Sequence, residues 1–366
     1  QQQEIAAKLL NPITKLYFQT MTDESTEAIK SQEITIKCED GIRLAGERWT
    51  VGSTTMNDET TSTNGTARIL CLHGWLDNAA TFDRMIPKLI TKIKTKQLEI
   101  SSIDAVAIDL PGHGKSSHKS LDGSSSVLAD FVYYVYDALR QLGWNDQDVT
   151  FIGHSMGASI SLMFAAAFPV SKMVLLDSLG PQPEPASSVT KRLQRHIRTR
   201  VNGKPPSSVY PDLETAVETR CLTATTFPGN QYISKETATA LVQRAIVPAD
   251  GGGDDDDSSK KIRFLHDQRL KWPSIMYFTE EQVHQLYRDV ATPKPRSRGS
   301  SETVSTSTCI LIAEDGMPFP IEDVALAGQL MQAKVCQKLP GSHHFHSDPD
   351  TTDAVVDAIF DFMTTY

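Results

Sequence analysis

The chain has 366 residues, with 36 Lys and Arg against 45 Asp and Glu, so its formal net charge is −9. This acidic balance argues against nucleic acid or an anionic membrane surface as the main partner, because both carry negative charge. The length allows a large core, and no stretch approaches the roughly 18 apolar residues that span a bilayer, so stable membrane insertion is not expected.

The N-terminal part predicts a polar segment, residues 1–30, followed by a β-hairpin. In ITIKCEDGIRLAGERW (34–49), two strand-like runs flank Asp40-Gly41, a dipeptide typical of tight turns. Residues 51–66 are polar and predict a loop. ARILCLHG (67–74) then predicts a buried strand that ends at a glycine.

Predicted helices and strands alternate in the next hundred residues. The patterns favour helices at 81–94, 126–143 and 155–168, and strands at 104–110, 149–155 and 172–177. Short apolar strands separated by helices are typical of right-handed βαβ units and a parallel sheet.

The alternation stops near Pro181 and resumes after residue 302. Between these points the sequence predicts helices at 187–201, 212–221, 234–245 and 279–290, with an acidic tract, GGGDDDD (251–257), that we interpret as a solvated loop. Strands at 307–316 and 333–339 and helices at 321–332 and 350–363 follow. We therefore predict an α/β core from residues 31–180 and 303–366, with a helical cap inserted at 181–302.

The cysteines indicate a reducing compartment. Their number is odd and none belongs to a C-x-x-C pair, so we expect reduced, buried thiols at Cys38, Cys71, Cys221, Cys309 and Cys336. The visible start lacks the apolar region of a signal peptide. We expect an intracellular location, cytoplasmic or organellar, with processing of the N-terminus left open.

The most informative motif is GHSMG (153–157), which has the form G-x-S-x-G. In this motif a sharp strand-to-helix turn exposes the serine as a nucleophile, here Ser155. Oxyanion donors are then expected from the backbone N–H groups of Met156, directly after the serine, and of Trp75, after His73-Gly74 at an earlier strand end.

A serine nucleophile needs a base and an acid that orients the base, and they follow the serine in the order acid, then histidine. GSHHFHSDP (341–349) supplies histidines after the last predicted strand. Asp315, at the end of ILIAED, is the favoured acid. Asp177, at the end of the strand beside the nucleophile strand, is the alternative.

The other histidines favour structural interpretations. His73, His113 and His154 lie beside glycines in predicted turns. The cluster at His343, His344 and His346 has no carboxylate or cysteine partner at metal-ligand spacing, so we expect no metal.

Three further blocks carry a resemblance to a known family. HGWLDNAATFD (73–83), DLPGHGKSSH (109–118) and GHSMGAS (153–159) resemble signature blocks of the serine hydrolase-like proteins, a branch of the α/β-hydrolase superfamily related to Kraken. Parts of the predicted cap and the GSHHFH loop are also similar, so the resemblance extends over roughly residues 30–365.

The resemblance implies an α/β-hydrolase fold with a mostly parallel eight-stranded sheet, an inserted helical lid and no cofactor. Residue by residue, Ser155 matches the nucleophile, His343 the base and Asp315 the usual acid position, with His346 as a supporting residue. The insertions at 51–66 and 251–257 are longer than the family pattern.

The expected activity is hydrolysis of a small-molecule carboxylic ester through an acyl-enzyme on Ser155, with thioesters or amides as alternatives. Serine at residue 155 argues against dehalogenases and epoxide hydrolases, which use aspartate there. A C–C bond hydrolase and a receptor without turnover remain alternatives. The oligomeric state is open.

Overall fold

A computed structural model describes residues 29–52, 65–96, 100–121, 126–144, 148–203, 207–249 and 261–366. Almost all of the predicted N-terminal segment, most of the loop at 51–66 and the acidic tract at 251–257 lie outside the described residues.

The core of the fold is one sheet of eight strands. In chain order the strands are β1 (Lys30–Lys37), β2 (Arg43–Val51), β3 (Thr66–Leu72), β4 (Ser102–Ile108), β5 (Val149–His154), β6 (Lys172–Leu176), β7 (Ser307–Asp315) and β8 (Val335–Ser342). They lie in the order β1-β2-β4-β3-β5-β6-β7-β8. The pairs β1–β2 and β2–β4 are antiparallel and the other five are parallel. The predicted α/β fold with a mostly parallel eight-stranded sheet is confirmed.

Helices cover both faces of this sheet, which explains why its central strands are apolar on both sides. The helices are α1 (Met85–Thr95), α2 (Leu128–Gln141), α3 (Met156–Ala167), α4 (Val189–Val201), α5 (Leu213–Ala224), α6 (Lys235–Arg244), α7 (Glu280–Ala291), α8 (Ile321–Leu330) and α9 (Thr352–Thr365). Residues of α1 and α9 share one apolar cluster with the sheet. Residues of α2, α3, α7 and α8 share the other. None of these helices is long and apolar enough to cross a membrane, within the residues described.

The segment between β6 and β7 contains helices α4 to α7 and some short strands that the sequence did not predict. Three of them, Val209–Tyr210, Ile246–Pro248 and Ile262–Phe264, form a small antiparallel sheet, and Lys294–Pro295 pairs with Thr303–Val304. These strands are two or three residues long and none is fully buried, so they leave no apolar run in the sequence. Helix α7 packs its apolar side into the main core. Helices α5 and α6 and the small sheet therefore share an apolar cluster of their own, separate from the two clusters of the main sheet.

Two buried ion pairs fasten α5 and α6 to the core. The Arg220 Nη2 atom of α5 lies 2.9 Å from Asp77 Oδ1, and the Arg244 Nη2 atom of α6 lies 3.0 Å from Asp109 Oδ2. Asp109 also accepts hydrogen bonds from the backbone amides of Ala79 and Lys115. Removing one partner of such a pair leaves an uncompensated buried charge, so these contacts hold the two helices firmly on the strand ends.

All five cysteines are free thiols, although their burial is less uniform than the sequence predicts. Cys38, Cys71 and Cys309 are buried, Cys221 is half-buried and Cys336 is exposed. Cys336 lies in β8 at the edge of the sheet, where an apolar strand pattern does not guarantee burial.

Candidate active site

Ser155 occupies a strained turn between β5 and α3. Its backbone has φ 53° and ψ −115°, a conformation that costs energy for any residue with a side chain. The flanking glycines are required by close packing. A Cβ atom on Gly157 would lie 2.0 Å from the Leu72 carbonyl oxygen, and one on Gly153 would lie 2.6 Å from the Gly157 carbonyl oxygen. The G-x-S-x-G pattern thus reflects a turn pressed against the end of β3, with Ser155 presented to a cavity.

His343 and Asp177 form a hydrogen-bonded pair beside this turn. His343 Nδ1 lies 2.6 Å from Asp177 Oδ2, and the aspartate is fully buried. Asp177 also accepts hydrogen bonds from the backbone amides of Ala313 at 3.0 Å and Met317 at 2.9 Å. A carboxylate only accepts hydrogen bonds, so the His343 Nδ1 atom is the donor, and its Nε2 atom is left to act as a base.

The structure pairs His343 with Asp177, the alternative in the sequence analysis, and not with the favoured Asp315. The Ala313 amide in β7 and the Met317 amide in the loop after it both donate to Asp177. Gly316 makes this possible, since a Cβ atom there would lie 2.2 Å from Asp177 Oδ2. Asp177 itself has φ 48°, a left-handed conformation that turns the chain sharply directly after β6. The choice of Asp315 is therefore corrected by the geometry.

The neighbouring histidines take structural positions. His346 Nε2 lies 2.9 Å from the Thr81 hydroxyl, and His154 Nε2 lies 2.9 Å from the His343 carbonyl oxygen, so His154 anchors the loop that carries His343. Burial, reinforced by the surrounding histidines, lowers the pKa of His154, so its ring is neutral. His73 Nε2 accepts a hydrogen bond from the Leu110 amide. These contacts fit the structural interpretation made from the sequence.

A second buried acid, Asp77, lies next to the site and was missed in the sequence. Its carboxylate lies 2.9 Å from His344 Nε2 and 2.9 Å from Arg220 Nη2. Burial acts to raise the pKa of Asp77, but the charges of His344 and Arg220 outweigh it and hold the pKa well below the usual range. The only available signal was an aspartate after HGWL, and it does not show that an arginine of α5 reaches this aspartate.

Asp77, His154 and His344 are also the described residues that could hold a metal ion. Their ligand atoms lie within 4.8 Å of one another, and His154 Nδ1 has no hydrogen-bond partner among the described residues. However, Arg220 already binds Asp77, and its Nη2 atom lies 3.3 Å from His344 Nε2. A metal would face a fixed positive charge there, so the donor set suits the existing ion pair better than a cation.

Ser155 lies between two cavities. One, of about 360 Å³, contains His343 and is lined by Trp75, Arg220 and Phe227; we call it the His343 cavity. The other, of about 290 Å³, contains Met156 and Asp177 and is lined by Tyr277 and Phe278; we call it the Phe278 cavity. Gln182 and Met317 border both.

The residues predicted to supply the oxyanion donors border the two cavities that meet at Ser155. Trp75 lines the His343 cavity and Met156 the Phe278 cavity. Gly74 is in close contact with the nucleophile turn, because a Cβ atom on it would lie 3.2 Å from Ser155 Cβ. The turn at residues 74–75 is thus beside Ser155, as an oxyanion site requires, and the donor roles themselves stay a prediction.

Comparison with known proteins places this arrangement in a family. Residues 69–358 match the alpha/beta hydrolase family, and because this is most of the chain, the protein belongs to that family. Among solved structures, a hypothetical protein from Pseudomonas aeruginosa PAO1 is similar with a TM-score of 0.69 and 27% identity, over 93% of this chain and 100% of that one.

Curated relatives narrow the similarity to one branch. A serine hydrolase-like protein of Danio rerio is 28% identical over 310 residues, 81% of each chain. A serine hydrolase-like protein of Dictyostelium discoideum is 28% identical over 338 residues, 91% of this chain and 81% of that one. The resemblance to the serine hydrolase-like α/β hydrolases, inferred from the motifs, is confirmed.

Proposed function

We propose that the protein is a serine hydrolase that cleaves carboxylic esters through an acyl-enzyme on Ser155. The observation that carries this proposal is the His343–Asp177 pair, with a 2.6 Å hydrogen bond, next to a serine in a strained turn that borders two cavities. Thioesters share the same acyl chemistry and fall within the proposal.

Each residue has a defined step in the proposed mechanism. His343 Nε2 removes the proton from the Ser155 hydroxyl as Ser155 Oγ attacks the carbonyl carbon, and the backbone amides of Trp75 and Met156 stabilise the oxyanion. The alkoxide leaves with the proton from His343. Water, deprotonated by His343, then attacks the acyl-enzyme and releases the acid. Asp177 keeps the Nδ1 proton of His343 in place and stabilises the imidazolium that forms in each half-reaction.

The two cavities suit an ester, which extends in two directions from its carbonyl carbon. We infer that one cavity takes the acyl group and the other the alcohol. Arg220 is charge-balanced by Asp77, so the His343 cavity offers no free charge from this pair and suits an uncharged, partly apolar group.

Sustained turnover distinguishes a hydrolase from a receptor that binds the ester without repeated cleavage. We expect the full chain to release p-nitrophenolate from p-nitrophenyl acetate and butyrate well beyond one equivalent per protein molecule, because His343 can activate water to regenerate Ser155. Stopped-flow and steady-state absorbance at 400 nm measure this. At most one equivalent released, followed by no further reaction, would support the receptor instead.

The aromatic residues around the cavities should set the acyl chain length. Phe227 lines one cavity and Phe278 the other, so Phe227→Ala and Phe278→Ala each enlarge a different one. We expect one of them to raise kcat/KM for p-nitrophenyl octanoate, relative to that for p-nitrophenyl acetate, by about tenfold. Burying about two further methylene groups of the acyl chain has an effect of this size. The variant that does so identifies the acyl cavity.

Trp272→Phe is the matched control for these two variants. Trp272 borders neither cavity and instead contacts Arg200 and His196. Its substitution should leave the chain-length profile unchanged. An unchanged chain-length profile in both Phe227→Ala and Phe278→Ala would mean that the inserted segment does not determine the preferred acyl length.

A further inference from the structure

Helix α4 is strongly basic, although the chain as a whole is acidic. Its thirteen residues, VTKRLQRHIRTRV, include five Lys and Arg and no Asp or Glu, in a chain whose formal net charge is −9. None of the five forms an ion pair with another described residue, whereas the arginines of α5 and α6 are both paired. Four of the five, Lys191, Arg195, Arg198 and Arg200, are exposed, whereas Arg192 is half-buried. Most of the charge of α4 is thus available to a partner.

The same helix exposes a row of apolar side chains. Val189, Leu193, Ile197 and Val201 are spaced four residues apart and therefore lie along one side of the helix. Their exposed fractions are 56, 53, 50 and 80%. Single exposed apolar residues are common, but a row of four along a whole helix is a feature of interaction surfaces.

A neighbouring loop extends this apolar surface to the active site. Ile275, Met276 and Tyr277 are also at least one-third exposed. The Arg192 guanidinium lies over the Tyr277 ring at 4.3 Å, and His196 Nδ1 lies 2.7 Å from the Pro273 carbonyl oxygen, so the loop runs beside α4. Met276 and Tyr277 also line the Phe278 cavity, which contains Ser155.

We propose that α4 and residues 275–277, here called the docking surface, bind the surface of an anionic phospholipid membrane. An apolar side combined with Lys and Arg and no acid is the composition of helices that lie in the membrane interface. The substrate class follows if this inference is joined to the proposed function, on which it rests. The active site then takes amphiphilic esters from that membrane through the Phe278 cavity.

Charge favours a membrane over a second copy of the chain. Two copies that paired through α4 would bring ten Lys and Arg side chains together, five from each helix, without an acid on either. The overall charge of −9 does not prevent docking, because charges more than about 8 Å away are largely screened at physiological salt. The proposal thus revises the expectation that the acidic balance disfavours an anionic membrane, and it requires no spanning helix.

Vesicle co-sedimentation tests the proposal with the full chain. We expect binding to vesicles of phosphatidylcholine with about 30 mol% phosphatidylserine, at least tenfold weaker binding to phosphatidylcholine alone, and loss of binding as salt rises, since anionic lipid attracts basic segments electrostatically. Leu193→Ser with Ile197→Ser, and separately Arg195→Glu with Arg198→Glu, should each weaken binding at least tenfold while hydrolysis of p-nitrophenyl acetate stays unchanged.

Matched controls change exposed residues of the same types elsewhere. Leu121→Ser with Ile321→Ser removes exposed apolar side chains, and Lys334→Glu with Lys338→Glu reverses two exposed charges; both should bind like the parent chain. Failure to bind either vesicle, or equal losses in the control variants, would overturn the proposal. A dimer in light scattering that Leu193→Ser dissociates would assign the surface to a second copy instead. Binding without ester turnover would leave docking intact and refute the proposed function.

Discussion

Ser155→Ala is expected to abolish ester hydrolysis and labelling by a fluorophosphonate probe. Without the hydroxyl no acyl-enzyme forms, and in serine proteases loss of the nucleophile lowers kcat by about 10⁶-fold. The melting temperature should stay close to that of the parent chain, because the Ser155 side chain fills no apolar core space and the strained backbone is unchanged. Steady-state kinetics, in-gel fluorescence of the labelled protein and thermal melting measure the three quantities.

Ser159→Ala is the matched control for this substitution. Ser159 lies one turn further along α3 and lines the Phe278 cavity with Ser155. It should retain both labelling and turnover. Labelling that persists in Ser155→Ala and disappears in Ser159→Ala would move the nucleophile to residue 159 and contradict the mechanism.

Asp177→Asn is expected to lower kcat by about 10⁴-fold, as the same change of the orienting acid does in a serine protease. An asparagine can donate its amide hydrogen to His343 Nδ1. The ring proton then moves to Nε2, the atom that must accept the proton of Ser155. The binding constant for substrate should change much less than kcat, because Asp177 acts through His343. Single-turnover kinetics separate the two effects.

Asp315→Asn is the decisive comparison. It makes the same chemical change at the acid that the sequence favoured, and it should stay within about tenfold of the parent because the structure gives Asp177 the contact with His343. Thermal melting of both variants controls for folding, since Asp177 also accepts two backbone amides. A larger loss at Asp315 than at Asp177 in folded protein would restore Asp315 as the acid.

Most of the sheet and its helices could be predicted from local patterns alone. The predicted strand 104–110 corresponds to Ser102–Ile108, and the predicted helix 155–168 to Met156–Ala167. Such elements carry a strong signal because a buried parallel strand is mostly apolar and this helix is apolar and buried over most of its surface. The short strands at 209–210 and 262–264 carry no such signal, since they are held by pairing within the inserted segment.

The sequence could not identify Asp177 as the partner of His343, because this contact depends on the path of each loop after its strand ends. β6 and β7 are neighbours in the sheet, so Asp177 and Asp315 follow adjacent strands and both are close enough to meet a histidine on the next loop. What decides between them is the positive φ at Asp177 and the space left by Gly316. An Asp-Gly dipeptide is an ordinary turn signal, and it does not show that the glycine makes room for a different aspartate.

The nucleophile turn could be predicted because the residues that it requires are visible in the sequence. Gly153 and Gly157 are visible in the sequence, and each is required by a contact with backbone that no side chain could tolerate. The Asp77–Arg220 pair left no comparable mark. Its partners are 143 residues apart, and many other arginines in the inserted segment could have filled the same role.

The two ion pairs between the inserted segment and the core make the free-energy cost of separating them unequal along the segment. Helices α5 and α6 can leave the core only by exposing Asp77 and Asp109 without their arginines, which costs several kcal/mol. Helix α4 has ring and hydrogen-bond contacts with residues 272–277, inside the same segment, and no buried ion pair with the core among the residues that the structure describes. Separating α5 or α6 from the core therefore breaks a buried ion pair, whereas separating α4 breaks none among the described residues.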